Sequence, residues 1–270
     1  MREFKVRLSN SPRPLPTGRW AMTQRWNDLL FAHWPVPASS IGHLLPEGLQ
    51  PDTYDGSAWI GVVPFWMDRI KLRGVPTIPG VRGFPELNLR TYVRDQYTGA
   101  EGVYFFSLDG GNLVAAAVAR LFYHLPYYWA EMRHEQQSER EFAVYCRRRF
   151  AGRPVIFKAR YRGLGPTRKL AESRRGSLEY FLTERYSLFT ENADGELVQA
   201  QVHHVPWPLE DAEADIERND LPMAIGLPLP SSQPPVLHYS RRQAVYVWPA
   251  TLAHPLRAGR RIPAQAMPSV

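Results

Sequence analysis

The sequence predicts a mostly β, β-rich α+β fold, and three observations carry that prediction. About ten short segments are rich in Val, Ile, Tyr, Phe, Trp and Thr and are bounded by Gly, Pro, Asn or Asp. One stretch, Ala115 to Tyr123, has the composition of a strong helix. Strands and helices do not alternate as they would around a parallel sheet. The expected architecture is therefore an antiparallel barrel or sandwich carrying a few peripheral helices.

The elements follow in order. Residues 1–18, polar and proline-bearing, read as an N-terminal arm, residues 19–250 as one domain and residues 251–270 as a C-terminal tail. Trp26 to Trp34 alternates bulky and smaller groups and reads as a strand that Pro35 and Pro37 stop. Ser39 and Ser40 are expected to cap a short helix through Leu45, which Pro46-Glu47-Gly48 ends. The turn Tyr54-Asp55-Gly56 opens a buried strand from Ala58 to Trp66. Leu87 to Val93 and Val103 to Leu108 are expected to pair as an antiparallel hairpin through a turn at Gly99 to Gly102. Asn112 caps the helix through Tyr123, and Pro126 ends it. Strands are predicted at Tyr128 to Arg133, Phe142 to Arg148 and Val155 to Tyr161, with a turn at Gly163 to Pro166 and a short helix at Ser177 to Leu182. A second hairpin joins Tyr186 to Thr190 with Leu197 to His203 across Asn192 to Gly195. Asp211 to Asn219 reads as an acidic surface helix, Leu221 to Pro235 as a proline-dense loop, and Val236 to Trp248 as the last strands.

Composition narrows the class. At 270 residues and 44% hydrophobic, the chain can bury a sizeable core, and its aromatics (8 Trp, 13 Tyr, 12 Phe) exclude a disordered chain. No run reaches the roughly 18 apolar residues of a membrane helix, and the first twenty residues hold basic groups without an apolar stretch. No membrane attachment or secretion is expected. The lone Cys146 sits in the apolar run Phe142 to Cys146 and reads as an inert core thiol of a reducing, cytoplasmic setting.

Standard chemical signatures are absent. There is no G-x-G-x-x-G, no G-x-x-x-x-G-K-[ST] and no G-x-S-x-G. The eight histidines show neither a helical i, i+4 pair nor cysteine partners, and His203 and His204 point to opposite faces of one strand. No metal and no cofactor is expected.

The net charge of +7 is a local property. Residues 147–175 carry a net +10 and the remainder is acidic. Such a stretch, with Tyr145, Phe150, Phe157 and Tyr161 interleaved, suits an interaction or nucleic-acid-binding module. It is equally the outward face of an edge strand, since Lys158, Arg160 and Arg162 alternate with Phe157, Ala159 and Tyr161. The second reading is preferred because strand periodicity explains the spacing without a partner, so nucleic acid is not the expected ligand.

A polar stripe is more specific. With a period of two, Glu86, Asn88, Arg90 and Tyr92 share one face of a strand while Leu87, Leu89, Thr91 and Val93 share the other. The apolar set needs a core, so the polar set faces water or an enclosed cavity. In a cavity, Arg90 suits a carboxylate, Glu86 an acid or base role, and Tyr92 and Asn88 orientation of a small ligand.

Trp26 to Trp34, Leu44-Leu45-Pro46-Glu47-Gly48-Leu49, Asp52 to Gly56, Glu86 to Tyr92, Gly102 to Leu108, Leu125-Pro126-Tyr127, Ser177 to Tyr186 and Pro206-Trp207 together resemble the YqjF-like family DUF2071. That family is similar to the acetoacetate-decarboxylase-like superfamily. The resemblance implies a closed, cone-shaped antiparallel β-barrel with a polar cavity and matches Glu86 to the cavity glutamate of the superfamily. It also implies a lost function. The decarboxylases attack a keto acid with a lysine activated by a neighbouring lysine, placed after a Phe-Pro. Here the matching segment is Leu125-Pro126-Tyr127-Tyr128, and no lysine lies between Lys71 and Lys158.

The expected function is thus a cavity for a small carboxylate-bearing or oxygen-rich molecule, in a binding protein or in a lyase or hydrolase that works without a Schiff-base lysine. Glu86, Asn88, Arg90 and Tyr92 are the first candidates, with Tyr104, Arg120 and Tyr127 beside them. Glu86 would need a pKa raised by burial and limited by Arg90. The alternative is the interaction or nucleic-acid module at residues 147–175, and homo-oligomerisation is left open.

Overall fold

Among the described residues fourteen strands form one sheet that curls until it meets itself twice. The computed structural model describes residues 14–75, 83–113, 123–149, 152–169, 175–229 and 233–254. Its strands are β1 (Met22–Pro37), β2 (Leu49–Pro51), β3 (Ser57–Leu72), β4 (Gly83–Asp95), β5 (Glu101–Gly110), β6 (Tyr127–Gln136), β7 (Glu141–Arg148) and β8 (Ile156–Gly163). They continue as β9 (Arg168–Lys169), β10 (Ser187–Glu191), β11 (Leu197–His203), β12 (Pro208–Asn219), β13 (Val236–Val247) and β14 (Thr251–Leu252). Among the described residues three short helices, α1 (Ala38–Gly42), α2 (Leu178–Thr183) and α3 (Leu221–Ala224), lie between them.

Two strands fork the sheet. β5 pairs along one edge with β4, while its other edge gives Val103 and Tyr104 to β10 and Leu108 to Gly110 to β6. β13 pairs with β1 and divides its other edge between β12, at His238 and Tyr239, and β11, at Tyr246 and Val247. The wall β13-β1-β3-β4-β5 is therefore shared by two closed circuits. One runs back through β6, β7, β8 and β12 and has nine strands; the other runs back through β10 and β11 and has seven.

The shared wall is covered on both faces. Ile60, Val62, Leu87 and Leu89 point into the nine-strand circuit and pack with Phe142, Val144, Phe157, Ala159 and Tyr239. On the opposite face, Val63, Phe65 and Met67 pack with Leu29, Phe31 and Trp207. Burial on both sides explains why β3 is continuously apolar from Ala58 to Phe65 rather than alternating.

Several expectations need correction. The barrel is mixed, because β5 pairs in parallel with both β6 and β10. β1 runs on through Pro35 to Pro37; its pairing with β13 ends at His33, so these prolines sit where β1 is paired on one side only. α1 is shorter than predicted, and its serines do not cap it; the Ser40 hydroxyl donates to Pro37 O at 2.6 Å. Asp211 to Asn219 is strand β12 rather than a helix. Ala212, Ala214 and Ile216 face the core, while Glu213 and Glu217 meet Arg162 and Lys158 of β8 at 2.6 and 2.5 Å. The same pairing corrects the basic stretch: β8 lies between β7 and β12 and is not an edge. α3 interrupts the loop that begins at Leu221, and β14 opens the C-terminal tail by pairing with β11. The helix predicted from Asn112 through Tyr123 falls largely outside the described residues. No helix among the described residues is long and apolar enough to cross a membrane.

Candidate functional site

The β4 alternation becomes a division between two interiors. Leu87 and Leu89 enter the nine-strand core, whereas Glu86, Asn88 and Arg90 line a cavity of about 110 Å³ inside the seven-strand circuit. Other walls come from Met22, Trp26, Phe65, Val103, Leu188 and Trp207. Three of the four stripe residues, Glu86, Asn88 and Arg90, therefore face a largely apolar space.

Glu86 is 3% exposed. Burial pushes its carboxyl up to about 7, while hydrogen bonds from Tyr127 and Asn88 hold it down and nearby Asp109 adds to the rise. The limiting groups are thus Tyr127 and Asn88, in place of the expected Arg90. Tyr127 reaches Glu86 through the parallel β5–β6 pairing, which sets Tyr127 beside Leu108, and through the absence of a side chain at Gly110. A Cβ on Gly110 would lie 2.8 Å from Tyr127 Cε1. With Asn88 bonded to Glu86 through its amide, its Oδ1 is buried without a partner.

Arg90 donates through Nη2 to the Tyr92 hydroxyl and to Leu182 O, both at 3.3 Å, and its Nε is buried and unpartnered. Its ring neighbours are Phe31 and Tyr92, at 5.5 and 5.7 Å from the guanidinium carbon. Tyr92 lies behind Arg90 rather than on the cavity wall. Its hydroxyl donates to Leu182 O at 2.6 Å and lies 2.7 Å from His33 Nε2. Burial, followed by Arg90 and His238, drives the His33 pKa well below its ordinary value. The neutral ring that donates through Nε2 leaves Nδ1 as an unpaired acceptor, in agreement with the lack of a partner at Nδ1.

The remaining candidates separate. Tyr127 joins Glu86, Asn88 and Arg90 on the cavity wall. Tyr104 does not: Val103 and Phe105 face the cavity, so Tyr104 turns to the other side of β5, where it hydrogen-bonds Glu191. Arg120 lies outside the described residues. No lysine occurs among the described lining residues; Lys71 is exposed at the end of β3, and Lys158 is paired with Glu217. The sequence reading missed Arg185, His204 and Trp207, which also line the cavity. Arg185 is tied to Asp52 at 2.7 Å and to Phe181 O at 2.8 Å. Their sequence signal is position, just after α2 and just after β11: Arg185 and Trp207 fall in segments singled out only as motifs, and His204 was weighed only as a metal ligand.

Behind the site, Arg148 of β7 forms a buried bidentate pair with Asp109 of β5 at 2.7 and 2.8 Å and donates to Ser107 Oγ at 2.8 Å. Burial pushes the Asp109 carboxyl up and Arg148 pulls it back. Elsewhere in the basic stretch, Arg149 pairs with Glu131 at 3.0 Å, and Arg168 pairs with Glu179 and Asp211 at 2.9 and 2.7 Å.

Comparison with known proteins places this site in context. Residues 23–244 match the family DUF2071, described as an uncharacterized conserved protein. The chain is 45% identical over 236 residues to the uncharacterized protein YqjF of Bacillus subtilis (strain 168), covering 87% of this chain and 93% of that one. Among solved structures, the enduracididine biosynthesis enzyme MppR complexed with pyruvate superposes with a TM-score of 0.61 at 13% identity, over 90% of this chain and 96% of that one. The acetoacetate decarboxylase of Legionella pneumophila superposes with a TM-score of 0.57 at 13% identity, over 91% and 92%. An acetoacetate decarboxylase-like enzyme of Sphingomonas wittichii RW1 superposes with a TM-score of 0.58, also at 13% identity, over 90% and 99%.

Proposed function

Because the chain belongs to the DUF2071 family and has an acetoacetate-decarboxylase-like fold, we propose that its seven-strand circuit binds a small carboxylic acid at Arg90 and Asn88, with Glu86 exchanging a proton beside it. One observation carries this reading. Asn88 Oδ1 and Arg90 Nε lack partners although both are buried, and both residues line the same cavity as a carboxyl whose pKa is about 7. Buried polar atoms left unpaired are costly; a carboxylate recovers that cost at Arg90 Nε, and a protonated Glu86 recovers it at Asn88 Oδ1. The pyruvate complex of MppR supports the size and charge of the ligand.

The protonation of Glu86 links to the orientation of Asn88. Ionised, Glu86 accepts the Asn88 amide N–H and leaves only Oδ1 free. Protonated, Glu86 donates to Asn88 Oδ1, and the amide Nδ2 is released toward the cavity next to Arg90 Nε. Two N–H donors two residues apart on one strand face then meet a carboxylate. A bound acid thereby gains a donor beside a protonated Glu86, whose one proton supplies general acid chemistry without a Schiff base when the O–H turns from Asn88 Oδ1 to the ligand. The ion pairs that Lys158, Arg162 and Arg168 make within the chain argue against the nucleic-acid reading.

Isothermal titration of the whole protein with pyruvate at several pH values tests the proposal. The expected result is tightest binding below pH 7, uptake of up to one proton per acid bound at pH 8, and a loss approaching tenfold per pH unit above about 7. Affinity that is independent of pH from 5.5 to 8.5 contradicts the role given to Glu86.

A further inference from the structure

The cavity's spare hydrogen-bonding capacity is confined to few atoms. Most polar lining groups beyond β4 are already engaged. Gln24 Oε1 accepts from Trp26 Nε1 at 2.8 Å and its amide nitrogen lies 3.5 Å from Met22 Sδ; Thr183 Oγ1 donates to Glu179 O at 2.7 Å. Arg185 is held by Asp52 and Phe181 O. The ring nitrogens of His204 lie 2.9 Å from Val205 O and 3.3 Å from Arg185 O. The exceptions are Trp207 Nε1, a buried donor without a partner, and Tyr123, which also brings a hydroxyl to the cavity lining. Facing these groups are apolar side chains such as Leu29, Val63, Phe65, Val103, Leu188 and Val247.

Resting on the carboxylate reading above, we infer that the ligand is an acid with an apolar body, its polar atoms gathered at the carboxylate end except where one meets Trp207 or Tyr123. At the roughly 10–15 Å³ of cavity space that one water needs, the volume of about 110 Å³ holds several waters, which admits a body of four or more carbons. Each methylene moved from water to these walls is worth about a 4-fold gain in affinity. A hydroxyl in the same place loses its water partners, and beyond the Trp207 N–H and the Tyr123 hydroxyl the mostly apolar walls offer it little replacement. Sugar acids and polyhydroxy acids are therefore disfavoured, and unsubstituted, branched or mono-oxo acids are admitted.

Titration calorimetry at pH 6 with the full chain tests this, using acetate, propionate, butyrate, hexanoate, octanoate, 2,3,4-trihydroxybutyrate and butyramide. The expected result is a gain of about 4-fold per methylene from acetate to butyrate, levelling off once the chain fills the cavity. Trihydroxybutyrate should bind at least about 10-fold more weakly than butyrate. Acids that bind with no dependence on chain length, or a trihydroxy acid that matches butyrate, overturn this inference and leave the carboxylate reading standing. Butyramide that binds as well as butyrate overturns the carboxylate reading, while a chain-length series among amides would still support the apolar body. Binding of none of the compounds overturns both.

Discussion

Glu86 holds its proton near neutrality because its carboxyl is cut off from water, and the donors Tyr127 and Asn88 only part-compensate. The consequence for stability has a definite sign. Unfolded, the group titrates near 4.5; folded, at about 7. Between these values the folded protein keeps a proton that the unfolded chain releases, so stability falls as pH rises through that window and levels off above it. The total is about 3 kcal/mol. His134 and His203, lowered to about 4 mainly by burial, change stability in the opposite direction over part of the range. The clean readout is therefore wild type against Glu86→Gln by urea unfolding. The variant should gain about 3 kcal/mol on wild type between pH 4 and pH 8; a constant difference would contradict the burial of Glu86. A second test acts through Gly110. Gly110→Ala sets a methyl against the Tyr127 ring, removes the donor from Glu86 and costs about 1–3 kcal/mol. The carboxyl titration of Glu86, followed by NMR, should move above 7, and Tyr127→Phe should move it the same way without the steric cost.

Among the elements, the Asp109–Arg148 pair ties β5 to β7 across β6, and it lies in the wall directly behind Glu86. Removing one partner leaves a buried charge. Arg148→Met should cost about 3–5 kcal/mol in urea unfolding, and the double change Arg148→Met with Asp109→Leu should recover most of it. If the single change costs less than the double one, the pair is not the link described here. The same elements show what a sequence can and cannot reveal. The β4–β5 hairpin and the opposed faces of β4 are legible because strand alternation is local and Leu87 and Leu89 declare which face is dry. β12 was misread as a helix because its acids suggested a solvated surface, although Ala212, Ala214 and Ile216 already alternate with Glu213, Asp215 and Glu217. His33 could not be placed beside Arg90, and Tyr127 stood beside Glu86 only as a weaker candidate, because each arrives there by pairing between distant strands. Tyr104 carried the right chemistry and the wrong parity.

For the molecule as a whole, the forks at β5 and β13 make two interiors out of one sheet and give them different contents. The nine-strand circuit is filled by aromatic and aliphatic side chains, while the seven-strand circuit keeps a cavity with unpaired polar atoms on one wall. Local periodicity predicts a barrel; it does not predict that the barrel shares its wall with a second closure, since both forks depend on which short segments of β5 and β13 each neighbour takes. That division puts the β4 stripe indoors, and it makes the central claim one of location: a small acid sits in the seven-strand circuit against Arg90 and Asn88. A crystal structure grown with butyrate near pH 6 tests this most directly. The account predicts a carboxylate about 3 Å from Arg90 Nε and the Asn88 amide nitrogen, with its carbon chain toward Phe65 and Trp207. A cavity that holds only water, with butyrate absent or bound on the outer surface, would contradict it.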